Sequence, residues 1–470
     1  MIRPLWTSAE VAAAVAGTPS GAAWEAQGVS IDSRSIEPGD LFIALEGPNH
    51  DGHDHVASAL ANGAAAALVH KLPRGTAEDA PLVLVKDTMT ALQDLGIASR
   101  ARSTARIVAV TGSVGKTGTK EMLALALSDQ GATHYSVGSF NNHWGVPLSL
   151  ARMPTAVQYA IFEIGMNHPG EITPLVRMVR PHVAVITTVE MVHMEFFAST
   201  AEIAAAKAEI FDGVETGGTA VLPRDNAHFA YLNDAARTAG LKDIRSFGNH
   251  IEATARLLDC AVDPQSTAVF ALVADQPLSY RVGVAGRQWA MNSLAVLLAV
   301  EALGADVNLA AMALAAMAAP KGRGQRRRIE IEGGSFELID ESYNASPVSM
   351  KAAIAMLASV RPAKGGRRIA VLGDMLELGP QGPSLHASVA ETVESWNIDL
   401  VFTAGTLTAH LHDALAAPRR GGHAADSDAV AALVKAGVRP GDVVMVKGSA
   451  GSRMGRVVNA LAEGGRSNAV

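Results

Sequence analysis

A chain of 470 residues is too long for one hydrophobic core, and a length of this kind predicts about three domains. Its 39 basic and 46 acidic residues leave a formal charge of −7, which excludes a general nucleic-acid surface while leaving room for a local anion site. Hydrophobic residues make up 49% of the chain but aromatics only 4%, a balance that favours Ala-rich helices layered on sheets over a β-sandwich.

The single cysteine, Cys260, excludes an intramolecular disulfide and fits a reducing compartment. Its thiol reads as an inert apolar group. The N-terminal run lacks the basic head and apolar stretch of a secretion signal. No segment reaches the roughly 18 uninterrupted apolar residues that cross a bilayer. The expectation is a soluble cytoplasmic protein without a membrane span.

Residues 1–85 read as a small α/β unit. Short strands are predicted at 29–34 and 41–45 around a Pro38-Gly-Asp40 turn, an Ala-rich helix at 55–67, and a buried strand at 81–85. In 86–318 an apolar strand, 106–110, runs into Thr111-Gly-Ser-Val-Gly-Lys-Thr117 and then a helix over 120–129. Further strands are predicted at 159–163, 183–187 and 219–222, and helices at 201–211, 292–303 and 309–317. Alternating strands and helices imply βαβ units and a mainly parallel sheet. Gly and Pro make a hinge of 320–325, and 319–470 resumes the alternation with strands at 336–339, 368–372, 399–402 and 442–446. That pattern is a doubly wound third domain. The tail, 464–470, is expected to fray.

Strand, glycine loop and helix together make a phosphate cradle. The glycines let backbone amides close on phosphate oxygens, and the helix N-terminus adds a favourable field. Gly112, Ser113, Val114, Gly115 and Gly118 complete the cradle, with Lys116 placed for the β- and γ-phosphates of a nucleotide and the Thr117 hydroxyl for Mg2+. The common spacing asks for glycine at 110, where this chain has Val110, so the loop is a shortened variant. Glu163 at a strand end and His193 beyond another are natural Mg2+ neighbours. Lys207, near two cations, is electrostatically misplaced unless its charge is removed. Each also has an ordinary reading, as a partly buried acid, a loop histidine and a solvated helix lysine. The histidine-rich 49–55 segment matches no structural zinc spacing and reads as a loop. Arg326, Arg327 and Arg328 read as a solvated strand edge or an anion contact.

The ordered motifs resemble the Mur ligases over nearly the whole chain. They run from Asp32-Ser-Arg34, Pro38-Gly-Asp-Leu-Phe-Ile-Ala-Leu45 and Asp51-Gly-His-Asp54 through the phosphate loop to Asn141-Asn142 with Gly145-Val-Pro147. Glu163-Ile-Gly-Met-Asn-His-Pro-Gly-Glu-Ile172, His193-Met-Glu195, Lys207-Ala-Glu-Ile-Phe211 and Gly286-Arg-Gln-Trp-Ala-Met-Asn292 follow. The third domain carries Asp340-Glu-Ser-Tyr-Asn-Ala-Ser-Pro347, Ser349-Met-Lys351, Gly373-Asp-Met-Leu-Glu-Leu-Gly379 and Lys447-Gly-Ser449. The resemblance implies an α/β, three-domain architecture: a UDP-substrate domain, a central phosphate-loop ATPase domain on a parallel sheet, and a Rossmann-like C-terminal domain for the incoming amino component.

It also implies roles. Lys116, His193 and Lys207 would be catalytic, with Lys207 carbamylated into an anionic ligand beside Thr117, Glu163 and His193 for Mg2+. Asn292, Arg323 and Asp340 would meet the base, phosphate and ribose of ATP. Ser33, Arg34, Asn141, Asn142 and Asn344 would contact the substrates. Gly118, Gln288 and Ser346 depart from residues common in the family. The Tyr343-Asn-Ala-Ser-Pro347 run is similar to that of the dipeptide-adding member. This implies a monomer joining UDP-MurNAc-tripeptide to D-alanyl-D-alanine through an acyl phosphate. A folylpolyglutamate synthetase-like ligase and a non-catalytic nucleotide-binding regulator are the rival readings.

Overall fold

The computed structural model describes residues 3–192, 194–463 and 467–469. Among the described residues three large sheets follow one another along the chain, with two small two-stranded pairings, Trp6–Thr7 with Glu25–Ala26 and Glu46–Gly47 with His50–Asp51, in the first unit. The first has strands in the order Thr18–Pro19, Leu82–Leu84, Ala66–Val69, Asp40–Ile43 and Gly28–Ser30, parallel except at the Thr18–Pro19 edge. Its central strands are apolar at consecutive positions because both faces are covered. Leu41, Ile43 and Leu68 enter one core while Phe42, Ala67 and Val69 enter the other.

The predicted helix over 55–67 is shorter. A 3-10 turn, Gly52–His55, leads into helix Val56–Ala61, and Ala66–Val69 is a strand. Gly63, at φ +101°, ends the helix, and burial then assigns Ala66 and Ala67, which have no strong strand preference, to the sheet. His53 is buried, with Nδ1 2.6 Å from Asp51 Oδ1 and Nε2 accepting from the His70 amide at 3.1 Å. The 49–55 segment is thus a hydrogen-bonded turn, and no metal-binding group of three or more such side chains occurs among the described residues.

Helix Thr88–Ala101 places Ala91, Leu92 and Leu95 in the first core, together with Leu148 and Ala151 of helix Gly145–Ala151. The Trp6 indole donates to the Ala151 carbonyl at 2.8 Å, and Arg152 Nε donates to the Val29 carbonyl at 2.6 Å. The first unit is therefore seated firmly on the second.

The central sheet has nine strands: Thr133–Tyr135, Tyr159–Glu163, Arg106–Thr111, Val183–Ile186, Thr219–Pro223, Asp243–Gly248, Ala255–Val262, Thr267–Val273 and Gln276–Val282. The first seven are parallel and the last three form an antiparallel meander. The expected parallel sheet thus carries an antiparallel edge. Register pairs Val110 with Glu163 and Thr111 with Ile186, so the phosphate loop, Glu163 and Thr187 leave adjacent strands at one edge. In open α/β sheets that edge is where ligands bind. Val108 and Val110 pack toward helices Lys116–Ser128 and Arg287–Ala302, whereas Ile107 and Ala109 face the opposite layer.

The third sheet runs Arg420–Ala424, Leu400–Ala404, Arg368–Gly373, Val443–Lys447, Gly334–Glu341, Gln325–Ile331 and 467–469. It is parallel through its first five strands and closed by an antiparallel hairpin. The tail expected to fray instead pairs antiparallel with Arg327 to Ile329 at 467–469, because that edge otherwise exposes unpaired backbone groups; 464–466 and 470 lie outside the described residues. Arg326 pairs with Glu337 at 3.2 Å and Arg328 with Glu330 at 3.1 Å. Residues 317–324 join the second and third sheets without regular structure. Among the described residues no helix is long and apolar enough to cross a membrane.

Candidate active site

The phosphate loop is held from three sides. Gly112 sits at φ +147° where a Cβ would come 1.9 Å from Thr187 Oγ1, and that hydroxyl donates to the Val114 carbonyl at 2.6 Å. The Ser113 amide donates to the Thr188 carbonyl at 2.9 Å, and its hydroxyl donates to the Glu190 carbonyl at 3.1 Å. Gly115, at φ +92°, abuts Asn292. The helix starts at Lys116 with no side-chain cap, so its first-turn amides are left for a ligand. Lys116 Nζ donates back to the Gly112 carbonyl at 2.8 Å. Burial lowers its pKa from the usual lysine value, the Glu163 carboxylate opposes the shift, and Arg323 adds to it.

Glu163, 1% exposed, accepts from Thr117 Oγ1 at 2.8 Å and from Asn141 Nδ2 at 2.7 Å. Ser139 Oγ lies 3.3 Å from the Thr117 hydroxyl. This close pair of oxygen donors beside the loop suits Mg2+, which takes one or two carboxylate or hydroxyl ligands and completes its shell with phosphate and water. His193 lies outside the described residues. Lys207 is 2% exposed, and burial, reinforced by the charge of Lys116, pushes its pKa well below the usual lysine value. The solvated reading of this lysine is therefore wrong.

A cleft of about 730 Å³ joins the loop, Asn141, Glu163 and Asn292 to Arg323, Asn344 and Lys447 of the third unit. The Arg323 guanidinium stacks 4.1 Å from the Tyr343 ring centroid. Lys447 Nζ donates to the Asn344 carbonyl at 3.0 Å and lies 3.3 Å from Glu341. Asp340, 2% exposed, accepts from the Ser342 amide and hydroxyl at 3.0 and 2.6 Å. It lines an adjoining cleft of about 1120 Å³ that also reaches Thr117 and Arg323. The Glu195 amide donates to the Glu377 carbonyl at 3.1 Å, linking the two units across the opening.

Three expected contacts lie elsewhere. Ser33 and Arg34 occupy a 3-10 turn, Ser33–Ser35, of the first unit and line neither cleft. Arg34 forks onto its neighbour Asp32 at 2.9 and 2.7 Å. Asn142 Oδ1 accepts from the Gly145 amide at 2.9 Å, securing the start of the next helix. Conversely, Trp289, Tyr343 and Lys447 line the cleft without having been singled out for it. Their only signal was membership of motif runs already quoted.

Fold and site together define a phosphate-loop nucleotide-binding protein of three α/β units, with its cleft between the second and third. The Mur ligase middle domain model matches residues 110–300, the glutamate ligase domain model 323–450 and the Mur ligase family catalytic domain model 25–100. The chain belongs to the Mur ligase family. It is 35% identical over 451 residues, 96% of each chain, to the UDP-N-acetylmuramoyl-tripeptide--D-alanyl-D-alanine ligase of Escherichia coli. With the Bacillus subtilis ligase of the same name it shares 32% identity over 97% of this chain and 98% of that one. Among solved structures it resembles MurF from Acinetobacter baumannii, with a TM-score of 0.83 and 28% identity over 97% and 99% of the two chains. It also resembles the MurF ligase of Thermotoga maritima in complex with ADP, with a TM-score of 0.75 and 26% identity over 93% and 97%.

Proposed function

We propose that this ligase joins D-alanyl-D-alanine to UDP-N-acetylmuramoyl-tripeptide, using ATP and releasing ADP and phosphate. The product would be the pentapeptide precursor of peptidoglycan. The observation that carries this reading is the cleft in which Lys116, Thr117 and Glu163 face Asn344 and Lys447, in a chain whose relatives of that name match it nearly end to end.

A carboxylate is a poor electrophile, so the tripeptide carboxylate must first become an acyl phosphate, which the dipeptide amine then attacks with loss of phosphate. In that scheme the loop amides and Lys116 orient the phosphates and balance charge on the transferring group, a positional and electrostatic contribution. Lys116 would exchange the Gly112 carbonyl for phosphate oxygen. Arg323 would approach the phosphates, Asp340 the ribose and Asn292 the base. Mg2+, when bound, supplies further positive charge to the phosphate oxygens, with Thr117, Glu163, His193 and carbamylated Lys207 as its protein neighbours. Burial that lowers the pKa of Lys207 favours the unprotonated amine that carbamylation requires. Asn141 and Asn344 would contact the substrates from either side. Ser33 and Arg34 would do so only through the uridine-linked end, away from the cleft, and Asn142, beside Asn141, would do so only by releasing the Gly145 amide. The reading has the enzyme act in the cytoplasm as a monomer.

The test is ADP release with D-alanyl-D-alanine and muramoyl tripeptides ending in diaminopimelate or lysine, against folate with glutamate. Turnover with a tripeptide alone is expected. Turnover confined to folate, or nucleotide binding without turnover, would overturn the proposal.

A further inference from the structure

The phosphate-loop helix carries a second lysine that the reaction scheme leaves without a role. Lys120 is 0% exposed, one helical turn beyond Lys116. Its Nζ donates to the Ser136 carbonyl at 2.7 Å and the Gly138 carbonyl at 2.9 Å, and it pairs with Glu121 at 2.6 Å. Burying a lysine is costly unless its nitrogen is paired and hydrogen-bonded, so a leucine would be the cheaper occupant of a purely structural position. What this nitrogen satisfies is a pair of inward carbonyls on an irregular segment, 136–142, that runs from strand Thr133–Tyr135 to helix Gly145–Ala151. That segment bears Ser139, beside the Thr117 hydroxyl, and Asn141, bonded to Glu163.

We infer that Lys120 is a positioning residue for the Thr117–Glu163 oxygen pair. By clamping the carbonyls of Ser136 and Gly138, it fixes the path of the segment so that Ser139 Oγ and Asn141 Nδ2 hold both oxygens in place. The inference rests on the proposed role of this pair toward Mg2+, but not on the identity of the acceptor substrate. Partners that orient metal ligands from behind are typically worth about 10- to 100-fold in metal affinity.

The test is binding of a fluorescent ADP analogue to the full-length protein, titrated with Mg2+ and repeated in EDTA, for Lys120→Met, Asn141→Ala and the double variant. Lys120→Met should raise the half-saturating Mg2+ concentration by roughly tenfold or more and leave binding in EDTA within about twofold, because the loop amides are untouched. The double variant should be little worse than either single one, since both break the same chain of contacts. Gly138→Val provides the same test without disturbing the core. Gly138 is exposed on the wall of the adjoining cleft, with φ +55° and no atom within 4 Å of a Cβ, so a β-branched residue would re-route the backbone and withdraw its carbonyl from Lys120, and binding in EDTA separates that effect from any contact of the new side chain with the nucleotide. It too should raise the Mg2+ requirement, and it decides the matter if Lys120→Met does not fold. An unchanged Mg2+ requirement in a folded variant, an equal loss of binding in EDTA, or additive effects with Asn141→Ala would overturn the inference. The readout needs no muramoyl substrate, so a failed ligase assay leaves it intact.

Discussion

The indole of Trp289 packs directly against Gly118. A methyl group on Gly118 would lie 2.6 Å from Cζ3 of the indole. Helix Lys116–Ser128 and helix Arg287–Ala302 therefore approach as closely as they do because position 118 has no side chain, which accounts for a glycine where a hydroxyl residue is common in the family. Gly118→Ser is expected to cost about 1–3 kcal/mol through overpacking. It should also weaken nucleotide binding, because the displaced helix carries Asn292 against the loop. Thermal melting and ADP-analogue binding measure both effects, and Trp289→Leu in the same chain should recover part of each. A Gly118→Ser protein as stable as its parent would show that the two helices have slack.

Lys116 makes its hydrogen bond within its own loop, to the Gly112 carbonyl, so little of the fold depends on it. Lys116→Ala should melt close to the parent yet lose about a hundredfold or more in ADP release. Substantial turnover by this variant would sink the assignment of the loop.

Legibility followed how local each signal is. The phosphate loop could be read because strand, glycines, lysine and helix are contiguous, and Glu163 because it ends a run of apolar residues. Arg323 and Asp340 sit on opposite sides of a chain reversal, and only the family resemblance brought them to the nucleotide. No strand was predicted for Asp243–Gly248, Ala255–Val262, Thr267–Val273 or Gln276–Val282; the alternation of Ala255–Val262 is broken by an irregularity between Leu257 and Asp259, and Pro277 interrupts the strand pattern of Gln276–Val282, where Leu278, Tyr280 and Val282 turn inward. Lys120 was invisible for a different reason. A lysine on a helix reads as solvated, and only tertiary structure reveals the two carbonyls that it serves.

Lys207 couples chemistry to stability. As a free amine its folded-state pKa is depressed below the ordinary 10.5, so between the two values the unfolded chain binds more protons than the folded one. Stability then rises with pH across that window, and the burial penalty is felt in full at pH values below it. In CO2-free buffer Lys207→Met should therefore melt higher than the parent at neutral pH, by a margin that narrows toward pH 10.5. Catalysis should move the opposite way. Lys207→Met is expected to be inactive, and Lys207→Ala, which leaves room, should regain turnover with added short carboxylic acids. Failure of that rescue would count against a carbamate at this position.

His134 offers a pH test of the same region from the acid side. It lies on the strand that delivers segment 136–142, with Nε2 2.8 Å from the Ser149 carbonyl. Burial lowers its pKa from 6.5 to about 4, the Ser149 carbonyl opposes the shift, and Arg152 adds to it. The ring is neutral in the folded protein at pH 7 and donates from Nε2. Below pH 6.5 the unfolded chain takes up a proton that the folded chain refuses, so stability is lost as the pH falls from about 6.5 to about 4. A shift of that size corresponds to at most about 3 kcal/mol. His134→Gln keeps a neutral donor for the carbonyl and removes the titration. Its melting temperature should fall less between pH 7 and pH 5 than the parent's. Equal acid sensitivity in the two proteins would place the proton uptake at another group.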